Sequence, residues 1–377
     1  MQMGAGHRGR PLVVLAAVVG LTCGVDTAGA QAIRTTLRGA RLGEPVAGAL
    51  VLLTDSLGHE LGRILTDESG RVRFDIAPGS YRLRVLRIGL SRWDSPLLRL
   101  AIGDTLRTPL SAPETPVVLS ALTVEAERRC RVRPEEGSAA ATLWEEARKA
   151  LEATDLTVRQ RLYRFQTVSY TRRYDHVGDV PTSDERVVGT GNSSWPFASL
   201  PPESLAARGY LQADAQGVVR YYGPDLEVFF SDPFLSTHCF GVRPAAVTGD
   251  SLVGLVFEPV TDRRLTDIAG VLWLDARSAE LRDLEFHYTN LGRWAGDQAG
   301  GSITFARLPS GAWVIRQWYI RAPVPLVRRR STGAAGTPTP YATIDTVGIA
   351  GFQEEGAWVT TVLTPRGSRV ATYPDHP

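Results

Sequence analysis

Residues 34–122 constrain the fold most, because turn-forming residues recur there at short intervals between apolar runs. Residues 49–54 are almost wholly apolar. In residues 71–76, apolar side chains alternate with Arg71, Arg73 and Asp75, and residues 81–85 alternate in the same way. Strict alternation predicts strands with one buried face and one solvent-exposed face. About seven such strands, closely and regularly spaced, predict an antiparallel β-sandwich.

The sandwich begins at a short strand candidate, residues 33–38, and turns at Gly43-Glu44-Pro45, where proline pre-sets the backbone. Further turns are predicted at 55–58, 67–70 and 77–79. We expect the closing strands at Leu97–Ile102 and Pro116–Leu119.

Three motifs in this stretch resemble the carboxypeptidase regulatory-like domain, also called the prealbumin-like or transthyretin-like module. They are Gly43-Glu44-Pro45-Val46-x-Gly48-Ala49, Thr66-Asp67-x-x-Gly70-x-Val72-x-Phe74 and Pro78-Gly79-x-Tyr81-x-Leu83-x-Val85. The resemblance implies a small sandwich that serves folding, docking or binding and carries no catalytic residues. Related folds in exported proteins bind carbohydrate. Residues 119–126 are similar to the segment that follows this module in TonB-dependent outer-membrane receptors, which implies an envelope context.

The first thirty residues are expected to be a signal peptide. Basic residues precede the apolar run Leu12 to Cys23, which is too short to span a bilayer, and Ala28-Gly29-Ala30 offers a cleavage site before Gln31. A lipid anchor at Cys23 is the alternative, although Thr22 fits it badly. We therefore predict export to the periplasm or the outer membrane, with no further membrane-spanning run in the mature chain.

Cleavage would leave two cysteines, Cys130 and Cys239. An exported chain with two cysteines can form one disulfide. The alternative is a pair of unpaired buried thiols, which behave as small hydrophobes.

The predicted domains are a signal peptide at 1–30, the sandwich at 31–124, a charged linker at 125–138 and a second domain at 139–377. The second domain begins with a helix at Ala139–Ala153, because Ala140, Leu143, Trp144, Ala147 and Leu151 share one face. Its charged residues Glu145, Glu146, Arg148 and Lys149 fall on other faces. A long series of strand patterns follows, which predicts an α+β domain with one helix against a curved antiparallel sheet.

This helix-then-strands pattern, with Ile268-x-Gly270-x-Leu272-Trp273-Leu274-Asp275, is similar to the half-barrel of LolA-type lipoprotein carriers. The similarity implies a cavity for an acyl chain or another apolar ligand, whereas a filled core is the alternative. We also predict a short helix within Asp232–Phe240 capped by Asp232, a solvated loop at Arg328–Arg330, and two last strands near Ile344 and Val359.

Catalytic motifs are not found in the sequence. The six histidines form no zinc motif, and no Gly-x-Ser-x-Gly elbow or phosphate-binding loop occurs. The adjacent pair His238-Cys239 does not predict a catalytic dyad, because sequence neighbours rarely share a face. Asp262, Asp267 and Asp275 match no calcium loop and are expected to be solvated turn acids. No cofactor is predicted.

Charge excludes one class of partner. The formal net charge is only +2, and Lys149 is the only lysine, so the arginines reflect coding bias rather than a surface for nucleic acid. We therefore expect an exported, non-enzymatic envelope protein that docks a partner protein. The alternatives are a carrier of an apolar ligand, a carbohydrate-binding module and a hydrolase with an unrecognised site.

Overall fold

The computed structural model describes residues 31–119, 130, 139–175, 180–192, 199–213, 219–244, 251–292, 298–331 and 342–374. The predicted signal peptide and nearly all of the predicted linker lie outside these residues. The elements of the first part of the chain are β1 Ala32–Gly39, β2 Leu50–Asp55, β3 Glu60–Leu65, β4 Arg71–Asp75, β5 Gly79–Arg87, β6 Leu90–Asp94, β7 Leu98–Leu100, β8 Thr105–Arg107 and β9 Leu110–Ala112. Those of the second part are α1 Ala139–Arg159, β10 Arg164–Tyr174, β11 Ser183–Gly191, α2 Pro202–Arg208, β12 Leu211–Ala213, β13 Val219–Tyr221, α3 Leu226–Phe229, α4 Asp232–Thr237, β14 His238–Pro244, β15 Leu252–Pro259, β16 Asp267–Asp275, β17 Leu281–Thr289, β18 Gly300–Arg307, β19 Trp313–Ser331, β20 Ala342–Leu363 and β21 Arg369–Thr372.

The first nine strands form two sheets, β4-β1-β8 with β9 also on β1, and β3-β2-β5-β6 with β7 also on β5. Between them lies an apolar core that includes Ile33, Leu53, Phe74 and Leu83. The predicted sandwich is therefore confirmed. It is not wholly antiparallel, because β1 pairs in parallel with both β8 and β9.

Of the two predicted closing strands, Leu97–Ile102 contains β7, whereas Pro116–Leu119 is not a strand. The short strands β6, β8 and β9 were not predicted, and Pro116 forms only a single bridge to Leu90 instead of a strand. Leu119 is nonetheless buried, but in the core of the second part of the chain. Strands of three residues carry too little alternation to be recognised in a sequence.

The second part is built on one open antiparallel sheet of ten strands, in the order β11-β10-β20-β19-β18-β17-β16-β15-β14, with β21 on β20. Helix α1 packs on one face of this sheet, which we call the helix face. The predicted combination of a helix and an antiparallel sheet is thus confirmed. The helix is longer than predicted, and three short helices, α2, α3 and α4, accompany it.

Several local predictions are corrected. Ser231, not Asp232, caps α4, because its hydroxyl accepts from the Phe234 amide. The predicted loop at 328–330 lies within the backbone of β19, and the two strands predicted near Ile344 and Val359 are one strand, β20. Long pairing between β19 and β20 explains both differences, since each strand supplies the backbone partners of the other.

Helix α1 lies between the two parts of the chain. A single buried cluster contains Leu50, Leu52 and Leu86 of the sandwich together with residues of α1 and of the ten-stranded sheet. The helix face is filled by protein side chains, among them the ring of Trp144, whose centroid lies 5.5 Å from that of Phe240. The two parts therefore share one core.

A buried ion pair completes this contact. The Lys149 ammonium lies 2.6 Å from the Glu146 carboxylate and donates to the backbone carbonyls of Leu90, at 2.8 Å, and Arg87, at 3.2 Å. Glu146 accepts from the Gly89 amide at 2.8 Å. Burial raises the pKa of Glu146, and the nearby Lys149 opposes that shift. The expectation that Glu146 and Lys149 lie away from the buried face is wrong, because the β5–β6 turn of the sandwich covers them.

Two glycines make this contact close. An added Cβ at Gly89 would overlap the Ser278 carbonyl oxygen, and one at Gly48 would overlap that of Gly311. Both glycines have positive φ, +75° and +68°. Turns of the sandwich thus meet the β16–β17 and β18–β19 turns of the large sheet backbone to backbone.

We predict that Gly48→Ala destabilises the chain more than Gly43→Ala. Gly43 has nearly the same φ, +67°, but an added Cβ there meets nothing within 4 Å. Gly43→Ala therefore measures the cost of the left-handed backbone alone, about 1 to 2 kcal/mol. Gly48→Ala should cost roughly 1 to 3 kcal/mol more from overpacking. Urea unfolding measures both values, and equal losses would contradict the backbone contact.

We predict that Lys149→Met lowers the free energy of unfolding by about 3 to 5 kcal/mol, because it leaves the Glu146 carboxylate buried without its partner. Adding Glu146→Leu to Lys149→Met should recover part of this loss. Arg159→Ala serves as the control, since it breaks a surface pair with Asp155 at 2.7 Å and should cost less than about 1 kcal/mol. Equal losses for Lys149→Met and Arg159→Ala in urea unfolding would disprove the role of the buried pair.

Candidate functional site

The predicted disulfide is present. Cys239, in β14, is bonded to Cys130, and 109 positions separate them in the sequence. Cys130 is the sole described residue in the segment between Leu119 and Ala139. The bond therefore fastens that connecting segment to the edge strand of the large sheet. Of the two predicted cleavage-site residues, Gln31 is the first described residue and Ala30 lies outside the described residues.

His238 is held in the core and does not face an open cleft. Its Nδ1 lies 3.1 Å from the Phe234 carbonyl oxygen, and its Nε2 lies 3.1 Å from the Ile268 carbonyl oxygen and 3.2 Å from the Asp267 carboxylate. The imidazole stacks on the Phe234 ring at 4.0 Å. Both ring nitrogens are thus occupied in joining α4 to β16.

The expectation that all three aspartates are solvated is wrong for Asp267. It is fully buried, accepts from the Arg263 guanidinium, and lies beside His238. Arg263 also donates to the carbonyls of Leu205 and Ala206 at the end of α2. Within the described ranges, no three His, Cys, Asp or Glu side chains lie together as metal ligands would. This cluster positions the short helices and offers no substrate site.

The open face of the large sheet, opposite the helix face, carries an aromatic and charged cluster around Glu354. This buried carboxylate accepts from the hydroxyl of Tyr170 at 3.1 Å and from Arg321 at 2.7 and 2.9 Å. Arg172 covers the Tyr170 ring, and Arg321 covers the Tyr174 ring, each at 4.3 Å. Burial, and then the Glu354 charge, raise the pKa of Tyr170. These tyrosine faces already stack on guanidinium groups, so they are not available to stack on a sugar.

A cavity of about 850 Å³ lies between the sandwich and the large sheet. One wall comes from β1 and β4, with Arg34, Arg71 and Arg73, and the other holds Tyr163 and Ser310. The Tyr163 and Ser310 hydroxyl oxygens are 2.6 Å apart and hydrogen-bonded to each other. The cavity is a wide cleft between the two parts, beside the core that they share.

A second cavity lies where β19 and β20 leave the sheet. Beyond Arg321, β19 has no pairing with β18, and before Phe352, β20 has no pairing with β10. Residues 322–331 and 342–351 therefore form a two-stranded arm, about 30 Å long at the usual rise of a strand. Pro323 and Pro325 lack the amide hydrogens that a neighbouring strand would need, which explains why the sheet stops here.

The cavity at the base of this arm, about 490 Å³, is called here the arm groove. Its lining residues are Val219, Arg220, Tyr221, Tyr222, Gly223, Trp318, Ile320, Ala322, Pro323, Val324, Pro325, Gln353 and Glu355. The Tyr222 amide donates to the Tyr210 carbonyl, and the Tyr288 hydroxyl donates to the Tyr222 carbonyl at 3.0 Å, so β13 is fixed over the groove. Burial raises the pKa of Tyr221 to about 12. Val324 and Leu326 of the arm are exposed.

The arm groove was not found by sequence reasoning. Its residues come from β13 and the residues just after it, and from β19 and β20, which lie about a hundred positions further along the chain. The one available signal was the Pro323-x-Pro325 spacing inside an otherwise strand-like run. Aromatic-lined grooves bind extended, proline-rich peptide segments in known recognition modules.

Residues 32–111 match the family model of the carboxypeptidase regulatory-like domain, so the predicted resemblance is confirmed for this part of the chain. Comparison with curated proteins gives no significant match. Within the described residues, none of the helices is both long and apolar enough to cross a membrane.

Three solved structures are similar at low identity. The 5-hydroxyisourate hydrolase of Klebsiella pneumoniae is 18% identical, with 22% of this chain and 86% of that chain covered and a TM-score of 0.19. A Streptococcal ancillary pilin is 12% identical, with coverages of 53% and 60% and a TM-score of 0.20. The major pilin subunit BcpA of Bacillus cereus is 9% identical, with coverages of 92% and 93% and a TM-score of 0.19. At these TM-scores the similarities carry no argument about function.

We predict that the Cys130–Cys239 bond forms only when the chain is exported. The full-length chain and a variant lacking residues 2–30 are produced in the same bacterial host, and thiols are labelled under denaturing conditions. We expect no label on Cys130 or Cys239 in the exported chain and label on both in the retained chain, because the cytosol keeps thiols reduced. Replacing both cysteines by serine should lower the free energy of unfolding by about 2 to 5 kcal/mol. Free thiols in the exported chain would contradict the prediction.

Proposed function

We propose that this chain is an exported, non-enzymatic protein of the cell envelope that docks a partner protein at the arm groove. The observation that supports this proposal is the arm, a two-stranded extension with exposed Val324 and Leu326 beside a groove lined by Tyr221 and Trp318. A projecting arm of this kind places apolar side chains where a partner can reach them. The disulfide supports export, because such bonds persist in oxidising compartments.

The partner chemistry follows from the groove. Aromatic rings and prolines line it, together with the exposed residues Arg220 and Glu355. Such a surface suits an extended segment with aliphatic or proline side chains and polar ends. The carboxypeptidase regulatory-like domain provides a rigid support, since its turns and α1 join it to the same core.

The alternatives have less support. A carrier would need a cavity beneath α1, where protein side chains form the buried cluster. A carbohydrate site on the open face of the sheet would need free aromatic faces, whereas Tyr170 and Tyr174 there are covered by arginines. A hydrolase would need an accessible acid, base or nucleophile, and the histidine with the most elaborate contacts, His238, is enclosed.

Site-specific photocrosslinking in the producing cells tests the docking proposal. A photoreactive residue at Leu326, 49% exposed, should give a discrete crosslinked product with one partner. The same residue at Leu57, 80% exposed on a sandwich turn, serves as the matched control and should give none. We expect the product at Leu326 to fall at least about tenfold when Trp318→Ala is added, because truncating an aromatic anchor of an interface removes much of the binding energy.

Two results would overturn the proposal. One is the absence of a product at Leu326, and the other is a product that forms equally from Leu57 or survives Trp318→Ala. Trp318→Ala must retain the disulfide and the thermal transition of the unaltered chain, so that loss of folding is not mistaken for loss of docking.

A further inference from the structure

Strand β11 forms a free edge of the ten-stranded sheet. It pairs with β10 through all nine of its residues, Ser183 to Gly191, and no described strand pairs with its other side. Eight of the nine residues are exposed, among them Val187 at 68% and Val188 at 75%. An uncovered edge of this length presents a row of backbone donors and acceptors to another strand.

The second half of this edge lacks the features that usually prevent strand addition, which are proline, charged side chains and a bulge. The register between β10 and β11 runs without a bulge, and β11 contains no proline and no lysine. The arm edge of the same sheet is different, because Pro323 and Pro325 interrupt it there. Proline thus interrupts pairing along the arm, whereas neither proline nor a bulge interrupts β11, and Val187 and Val188 add apolar side chains at its middle.

The charge pattern of β11 determines which strand fits. All its charged residues, Asp184, Glu185 and Arg186, lie in its first half, and the second half is uncharged. Two antiparallel copies related by a two-fold axis through Val187 would pair all nine residues. Asp184 would lie opposite Thr190, Glu185 opposite Gly189 and Arg186 opposite Val188, so no like charges meet directly. Axes through Glu185 or Arg186 would place identical charges face to face.

We propose that β11 pairs with β11 of a second copy of this chain, antiparallel and centred on Val187. The pairing adds roughly eight to ten backbone hydrogen bonds and joins two sheets into one continuous sheet. On the face shared with Tyr170, the two Arg186 side chains approach diagonally, and each is balanced by Asp184 of its own strand, 2.8 Å away. The contact is isologous, so it closes at two copies and leaves both arm grooves in place.

The decisive experiment is a charge-swap series at the proposed axis. The chain beginning at Gln31 is studied by sedimentation velocity over a range from micromolar to near-millimolar concentrations. We expect a concentration-dependent dimer. Val187→Lys and Val187→Glu should each weaken it at least about tenfold, because each places like charges opposite one another. An equimolar mixture of the two should dimerise again, since lysine then faces glutamate.

A second position fixes the register. Val188 faces Arg186 of the other copy, so Val188→Glu should strengthen the dimer and Val188→Lys should weaken it. Leu57→Lys, on an exposed turn of the sandwich, is the control and should change nothing. Each variant is first shown by circular dichroism and thermal unfolding to fold as the unaltered chain does.

Three outcomes would refute the proposal. They are a monomer at every concentration, a dimer that Val187→Lys does not weaken, and a mixture of Val187→Lys with Val187→Glu that stays monomeric while the unaltered chain dimerises. These outcomes are independent of docking at the arm groove, because neither Val187 nor Val188 lines that groove.

Discussion

The burial of α1 between two sheets is the interaction on which the rest of the structure depends. One side of the helix packs on the ten-stranded sheet, and Lys149 and Glu146 of the same helix satisfy the backbone of the β5–β6 turn. Desolvation of the two charges offsets much of their attraction, so a buried ion pair contributes more to the orientation of the packed elements than to the net free energy of folding. Here the pair favours one position of the β5–β6 turn, the one in which the Gly89 amide and the Leu90 carbonyl are both hydrogen-bonded.

This shared core changes how the carboxypeptidase regulatory-like domain acts in this chain. A module on a flexible linker samples many orientations, whereas this one contacts the large sheet through close backbone approaches at Gly48 and Gly89. The Cys130–Cys239 bond restrains the connecting segment as well. Both proposed interaction surfaces, the arm groove and the β11 edge, therefore belong to the same body as the domain that the sequence motifs identify.

The two surfaces arise from one property of the large sheet, which is that it stays open. An open antiparallel sheet has edges, and each edge must be shielded or used. The edge strand β11 is neither shielded by proline nor bent by a bulge. The interior strands β19 and β20 extend beyond their neighbours as an arm, where prolines interrupt further pairing and a groove lies at the base. The helix face is filled and the tyrosines around Glu354 are stacked on arginines, so the chemistry left for recognition lies at the borders of the sheet.

The sequence by itself determined the sandwich, the helix and the antiparallel character of the second part, because turn residues, period-two alternation and a helical stripe are local signals. It also determined which two cysteines could form a disulfide, because only Cys130 and Cys239 follow the predicted signal peptide. Tertiary structure alone decided that Lys149 and Asp267 are buried, that β1 pairs in parallel with β8 and β9, and that Tyr221 and Trp318 line one groove. Lys149 and Asp267 each have a charged partner within one helical turn of sequence, Glu146 and Arg263. The groups that bury these pairs, the backbone of Arg87 and Leu90 and the ring of His238, come from distant parts of the sequence. Convergence of distant segments depends on packing, which no local pattern records.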